Sequence, residues 1–265
     1  MSTSRVQIVA TIGPASGTEA MLERLVEAGM DIMRLNFSHG TYEEHASYIA
    51  NLRTVAKKAG KHIPVIQDLS GPRGKTEGGH AFDGTKQEIT EKDLRDLDFG
   101  IAHGVEYIAQ SYVGSAEDIR AMRAEIERRG AKIPIIAKIE RRIAVEKADE
   151  IIAEADAVMI GRGDLGEEVP VEQIPFVEKE LIEKCNRAGR PVITATQMML
   201  SMLASPTPTR AEVTDVSYAV VAGSDAVMLS EETARGEYPV EAVAAMEKVA
   251  LEAEKHMNSA ERHAL

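Results

Sequence analysis

One grammar recurs eight times along this chain: a short apolar strand, a turn, an amphipathic helix, a glycine or acidic stop, then the next strand. Eight recurrences in 265 residues make a unit of about 33 residues, the size of one β/α unit in a closed eightfold barrel of ~250 residues. The expected strands are Val6–Gly13, Asp31–Ser38, Ile63–Leu69, Val105–Val113, Lys132–Glu140, Asp156–Gly163, Pro191–Thr196 and Asp225–Ser230. Most lack a clean polar alternation, as strands do when helices cover both faces of a parallel sheet. The intervening segments carry apolar residues at spacings of three and four, such as Met21, Leu22, Leu25 and Val26, or Ile119, Met122 and Ile126. Gly29, Gly60, Gly104, Gly130, Gly189 and Gly223 stand where left-handed helix stops belong. Thr90 and Ser115 stand where N-caps belong. The fold class is therefore α/β, a (β/α)8 TIM barrel forming a single domain over residues 1–265. A doubly wound open sheet also alternates but seldom needs eight units.

The rhythm breaks once. Ser70–Ile89 is polar and glycine-rich, and longer than the usual 2–6 residues of a βα loop. It reads as a flexible active-site loop, a small hairpin around Asp83-Gly84, or the scar of a lost insertion.

Composition narrows the function. With 31 basic and 43 acidic side chains the net charge is −12, which argues against a nucleic-acid binder. Phosphate ligands stay possible, because a few local groups hold them. No apolar run approaches ~18 residues, so no membrane span is expected. The N-terminal segment lacks a signal-peptide core, and one cysteine, Cys185, cannot form an intrachain disulfide framework. A cytoplasmic setting is expected.

A barrel of this class gathers its chemistry at the C-terminal ends of its strands. Polar residues collect there, many at i, i+2, which puts both on one face of a strand. Arg34, Asn36 and Ser38 form one such set. Asp68 and Ser70 follow, then Ser111, Lys138 with Glu140, Arg162 with Asp164, Thr194 with Thr196, and Ser230 with Glu232. Glu140 and Asp164 are the natural divalent-metal pair, since magnesium takes one or two carboxylates and completes its shell with water and substrate oxygens. Lys138 lies beside that pair, and Arg34 suits bidentate contact with a phosphate or carboxylate. The set fits phosphoryl transfer or enolate chemistry. Other motifs carry less. Gly161-Arg-Gly163-Asp-Leu-Gly166 matches GxGxxG, but no strong helix is expected at its third glycine, so a glycine turn facing an anion is the better reading. The seven histidines show no ligand spacing.

IVATIGPAS (8–16), MRLNFSHG (33–40), QDLSGP (67–72), AKIE (137–140), GRGDLG (161–166), NRAGRPVITATQMM (186–199), PTRAEVTDV (208–216) and DAVMLSEETARGEYP (225–239) closely resemble the pyruvate kinase family. They occur in that family's order and run nearly end to end, and the resemblance is to its barrel domain. It implies transfer of a phosphoryl group from phosphoenolpyruvate to ADP, giving pyruvate and ATP, with Mg2+ or Mn2+ and a monovalent cation, K+. By motif, Arg34 resembles the arginine that holds the substrate phosphate. Asn36, Ser38 and Asp68 resemble the side chains around the monovalent cation, and His39 a nucleotide-side residue. Lys138 resembles the lysine that stabilises the transferring group, and Glu140 and Asp164 the magnesium ligands. The Gly163-Asp164 backbone and Thr196 resemble the contacts to the substrate carboxylate, Thr196 also protonating the enolate. Ser111 and Ser230 resemble polar residues lining the same pocket. The region from Thr196 to Arg210 resembles one near a barrel–barrel contact, which implies a homodimer.

Departures accompany the resemblance. The family's lid domain, which follows the third strand, is replaced by the short segment 70–89, and its C-terminal regulatory domain with the effector site is expected to be missing. Arg73 stands where the family has an acidic residue or a lysine, so a fixed positive charge there is expected to replace the monovalent cation. Gly74-Lys75 and Glu231 also depart from the usual residues. Without a lid, ADP is expected to bind weakly and the enol phosphate to be open to hydrolysis. Two other functions stay open: a magnesium-dependent lyase or decarboxylase acting on pyruvate-like oxo-acids through an enolate, and a binding barrel without activity.

Overall fold

The structure, a computed structural model, describes residues 4–76, 79–85 and 88–257. Its strands are β1 (Gln7–Thr11), β2 (Ile32–Asn36), β3 (Val65–Asp68), β4 (Arg73–Thr76), β5 (Gly79–Phe82), β6 (Tyr107–Gln110), β7 (Ile135–Ile139), β8 (Ala157–Gly161), β9 (Val192–Ala195) and β10 (Ala226–Leu229). Eight of them close into a barrel in the order β1-β10-β9-β8-β7-β6-β3-β2. Every pairing in the barrel is parallel. The (β/α)8 expectation holds.

Two apolar layers explain why the strands lack polar alternation. One set of positions, among them Val9, Ile32, Ile66, Ile136, Met159 and Ile193, fills the barrel axis. The alternate set, including Ile8, Leu35, Val65, Ile108, Ile135 and Val158, packs outward under the helices. A residue buried on either face gains about 1.5–3 kcal/mol, so neither face tolerates a polar side chain without a partner.

The helix boundaries follow the expected punctuation. All six glycine stops have positive φ. Thr90 caps the helix Glu91–His103 in a capping box with Asp93, and the Asp118 carboxylate accepts from the Ser115 N–H at 3.0 Å.

Three expectations need correction. The strands are shorter than the expected runs at both ends, β7 for instance spanning Ile135–Ile139 rather than Lys132–Glu140, because the flanking residues leave the ladder for the connecting loops. Segment 70–89 does contain a hairpin, but β4 and β5 pair from Arg73↔Phe82 to Thr76↔Gly79, so Asp83-Gly84 follows the second strand rather than forming the turn. Finally, Arg162–Glu168 is a short helix beginning directly after β8, not a glycine turn.

At the barrel end opposite the strand C-termini, Asp31 accepts the Ile8 N–H at 2.8 Å. Burial pushes its carboxyl up to about 6; Glu247 adds to the rise, while the Ile8 hydrogen bond and Lys61 oppose it. No helix among the described residues is long and apolar enough to cross a membrane.

Candidate active site

The inward positions of β2, β3 and β7 continue past the apolar axis into charged residues at the barrel mouth. Arg34, Asp68, Lys138 and Glu140 are all buried there. Asp68 is shared between two cations. Its Oδ2 accepts from Arg34 Nε at 2.7 Å, and its Oδ1 from Lys138 Nζ at 2.9 Å. Lys138 Nζ also donates to Ser111 Oγ at 2.7 Å and pairs with Glu140 Oε1 at 2.9 Å. The Ser111 hydroxyl in turn donates a hydrogen bond to the Leu69 carbonyl at 2.7 Å. Burial alone would push the Asp68 carboxyl up, but Arg34 and then Lys138 outweigh it and hold the group below the usual carboxylate range. Glu140 goes the other way. Burial raises its carboxyl, Lys138 pulls it back, and Asp164 and Asp68 push it further up.

Glu140 packs directly on β8. A methyl group at Gly161 would lie 2.6 Å from Glu140 Cγ, so only glycine leaves room for the carboxylate. Asp164, on the helix that starts there, reaches the same mouth and is a quarter exposed. Tyr112 joins the two carboxylates: its N–H donates to Glu140 Oε2 at 3.0 Å and its hydroxyl to Asp164 Oδ1 at 2.9 Å. The Arg73 guanidinium sits 5.3 Å from the centre of the Tyr112 ring and 3.7 Å from Asp164 Oδ2.

Thr196 closes the far side. Its Oγ1 accepts from the Gly163 N–H at 2.8 Å and donates to the Ala195 carbonyl at 2.6 Å. At φ 71° it is a β-branched residue in the left-handed region, a conformation costing on the order of 1–3 kcal/mol. Arg162 holds it there by donating to the Thr196 carbonyl at 2.8 Å.

A cleft of about 660 Å³ opens beside this cluster between the ends of β1, β2 and β10. Thr11, Arg34, Asn36, His39, Ser230 and Arg235 are among its lining residues. Ser38 donates its N–H to Asn36 Oδ1 at 3.0 Å, while the hydroxyls of Ser38 and Ser230 are buried without a partner.

The structure thus brings Arg34, Asp68, Ser111, Lys138, Glu140 and Asp164 together, with Gly163 and Thr196 alongside and Asn36, His39 and Ser230 on the cleft. It does not bring in Arg162, Thr194 or Glu232. Arg162 turns away to Glu178 at 3.0 Å and Asp215 at 2.6 Å. Thr194 lies on the outward face against Ser224. Glu232 is spent on the N–H groups of Met199 and Ser230. Two members of the cluster escaped the sequence. Thr11, which accepts from Arg34 Nη1 at 3.0 Å, was open to the same two-residue spacing from Val9. Tyr112 was not, because its φ of 58° takes it off the strand's alternation.

No group of three or more His, Cys, Asp or Glu among the described residues is arranged to hold a metal ion by itself. Glu140 and Asp164 fit a magnesium-like cation that draws its other ligands from water and substrate. Burial raises Glu140 first, and such a cation would relieve the repulsion that Asp164 and Asp68 add to it.

The chain matches the family model described as pyruvate kinase, barrel domain, over residues 3–88 and 82–243. It is 37% identical to a pyruvate kinase of Sporosarcina psychrophila over 94% of its own length and 57% of the relative's. It is 38% identical to one of Geobacillus stearothermophilus, over 95% of this chain and 57% of that one. A Thermococcus litoralis pyruvate kinase is 36% identical, over 96% of this chain and 71% of that one. The chain therefore spans little more than half the length of the first two.

Proposed function

The chain belongs to the pyruvate kinase family, and from that premise we propose that it transfers a phosphoryl group from phosphoenolpyruvate to ADP, yielding pyruvate and ATP. The observation that carries the reading is Lys138: a buried ammonium fixed by Asp68, Ser111 and Glu140 at the mouth, reaching Asp68 of the Arg34–Asp68 pair across the intervening strand β6.

Arg34 and Lys138 supply the positive charge that a phosphorylated oxo-acid needs on entering the mouth. Asp68 sets the spacing of the two cations by holding one on each carboxylate oxygen. Lys138 already contacts three acceptors, so a phosphoryl oxygen engages it by displacing one of them. Charge then moves onto the transferring group against donors that need no reorganisation. Glu140 and Asp164 would hold the divalent cation, which when bound supplies Lewis-acid stabilisation of the phosphoryl and oxo-acid oxygens. The hydroxyl of Thr196 faces Gly163 at the site's edge and is our choice for contact with the substrate carboxylate and for proton delivery to the enolate. His39 and the cleft beside it would take the nucleotide, with Ser230 on its wall.

For the monovalent cation, we read Arg73 as the substitute: its guanidinium stands against Asp164, and its charge also acts on Glu140 and Asp68. Asn36, Ser38 and Asp68 would surround K+ if K+ is used, yet Asp68 is already committed to Arg34 and Lys138. We read the β4–β5 hairpin as standing in the place of the family's lid, and a homodimer through the region from Thr196 to Arg210 as the assembly. A cytoplasmic location belongs to the same reading. Nothing in the site favours the lyase alternative.

The test is pyruvate formation from phosphoenolpyruvate and Mg2+, with and without ADP, beside Lys138→Met. ADP-dependent pyruvate and ATP, lost in the variant, is the expected result. Pyruvate formed equally without ADP would overturn the kinase reading.

A further inference from the structure

Tyr112 stands out among residues outside the family motifs. It is almost completely buried at the mouth, yet its two polar groups meet two different carboxylates, one just past the end of β7 and one on the helix after β8. The backbone N–H engages Glu140 Oε2 at 3.0 Å, and the phenol engages Asp164 Oδ1 at 2.9 Å. The residue's left-handed backbone, φ 58°, makes this double contact possible, because an extended residue would send its side chain along the barrel wall. Its ring is fixed from several sides. Arg73 lies 5.3 Å from the ring centre, the Phe82 ring 5.7 Å away, and Gly71 approaches so closely that a methyl there would sit 3.1 Å from Cδ2. Burial keeps the phenol protonated far above its ordinary range; Arg73 opposes this, and Asp164 and Glu140 reinforce it. The hydroxyl is the donor in its contact with the Asp164 carboxylate.

We infer that Tyr112 is a positioning residue of the divalent-metal site, orienting Glu140 and Asp164 as a pair through one donor to each. The inference rests on the reading that these two carboxylates hold the metal. Each carboxylate receives one donor from Tyr112, on Oε2 and Oδ1. The opposite oxygens meet Lys138 and, at 3.7 Å, Arg73. Asp164 is the more exposed partner and sits on a short helix, so it has the most rotamer freedom to lose. Phenylalanine would fill the same space and stack with Arg73 and Phe82 equally well, but it would leave Asp164 free to rotate.

The test is Mn2+ binding to the full chain, followed by water-proton relaxation without any substrate, for wild type, Tyr112→Phe, Asp164→Asn, the double variant and Glu140→Gln. Tyr112→Phe is expected to weaken Mn2+ about 10- to 100-fold, the usual effect of removing a hydrogen bond that orients a metal-ligating carboxylate. The thermal midpoint should stay within a few degrees of wild type. In the Asp164→Asn background the same substitution is expected to change affinity less than it does beside Asp164, because the acceptor left is an uncharged amide oxygen and no longer a metal-ligating carboxylate. Wild-type affinity in Tyr112→Phe, with Glu140→Gln strongly weakened, would overturn the inference while leaving the metal site standing. Unchanged affinity in both Glu140→Gln and Asp164→Asn would overturn the metal reading and the inference with it. Should Tyr112→Phe not fold, Phe82→Leu, which loosens one side of the tyrosine ring, serves instead. A severalfold loss of Mn2+ affinity would then support the inference, and none would overturn it.

Discussion

Glu140 lies against Gly161 so closely that a methyl group on the glycine would stand 2.6 Å from the glutamate Cγ. The glycine is the floor on which the carboxylate rests. Gly161→Ala is expected to destabilise the protein by about 1–3 kcal/mol through overpacking. It should also lower kcat/KM on the order of 100-fold by moving Glu140 off its partners. Urea unfolding and steady-state assays read the two effects; wild-type values in both would show that the floor is not rigid.

Arg73 places a fixed cation 3.7 Å from Asp164 Oδ2. Activity in sodium or tetramethylammonium buffer is expected to match that in potassium within about twofold. Arg73→Gln should then create a potassium requirement. A wild type that stays silent without K+ would remove Arg73 from this role.

Arg162 ties β8 to two helices and to Thr196. Its guanidinium meets Glu178 and takes both oxygens of Asp215 at 2.6 and 2.7 Å. Arg162→Ala leaves Glu178 buried without its counter-charge, at an expected cost of about 3–5 kcal/mol. Burial already pushes the Glu178 carboxyl up and Arg162 pulls it back. The loss should therefore shrink as pH falls and Glu178 takes a proton. Lysine has no planar fork and should restore little of the stability. Denaturant midpoints at two pH values provide the check.

These residues show where sequence reading holds and where it stops. Lys138 and Glu140 were legible as a pair because β7 runs straight past Ile139, so two-residue spacing keeps its meaning. Arg34 and Asp68 follow the same rule. Thr194 and Thr196 break it: the chain leaves β9 at Ala195 and turns left-handed, so one threonine faces the helices and the other the mouth. Arg162 and Asp164 fail for a related reason, since helical geometry begins right after Gly161. Eight units and their glycine stops were visible because they repeat. Tyr112 was invisible because its contacts depend on a single backbone torsion.

Asp31 sets a pH response remote from the mouth. Its carboxyl is raised from 3.8 to about 6 in the folded protein. The folded state then binds the proton more tightly than the unfolded chain. That contribution is fully present below about pH 4 and is lost as pH rises through about 6. It amounts to on the order of 3 kcal/mol. Asp31→Asn keeps an oxygen for the Ile8 N–H and should flatten this part of the stability profile, leaving the variant more stable than wild type at pH 7. The difference between the two unfolding curves from pH 4 to 7 isolates the group. A constant difference would refute the assignment.

β3 and β6 are direct neighbours in the ladder, Ile66 in register with Tyr107 and Asp68 with Ala109, although the hairpin and a helix lie between them in sequence. The barrel's cylinder of hydrogen bonds is closed without the hairpin. Lengthening a flexible connection at such a place costs little, about 0.6 kcal/mol per doubling. The junction after β3 therefore behaves as a socket. Covers of very different size can be exchanged there by insertion or deletion, while the charge arrangement beneath them stays in register. Access to the site and the chemistry inside it are free to evolve on separate schedules.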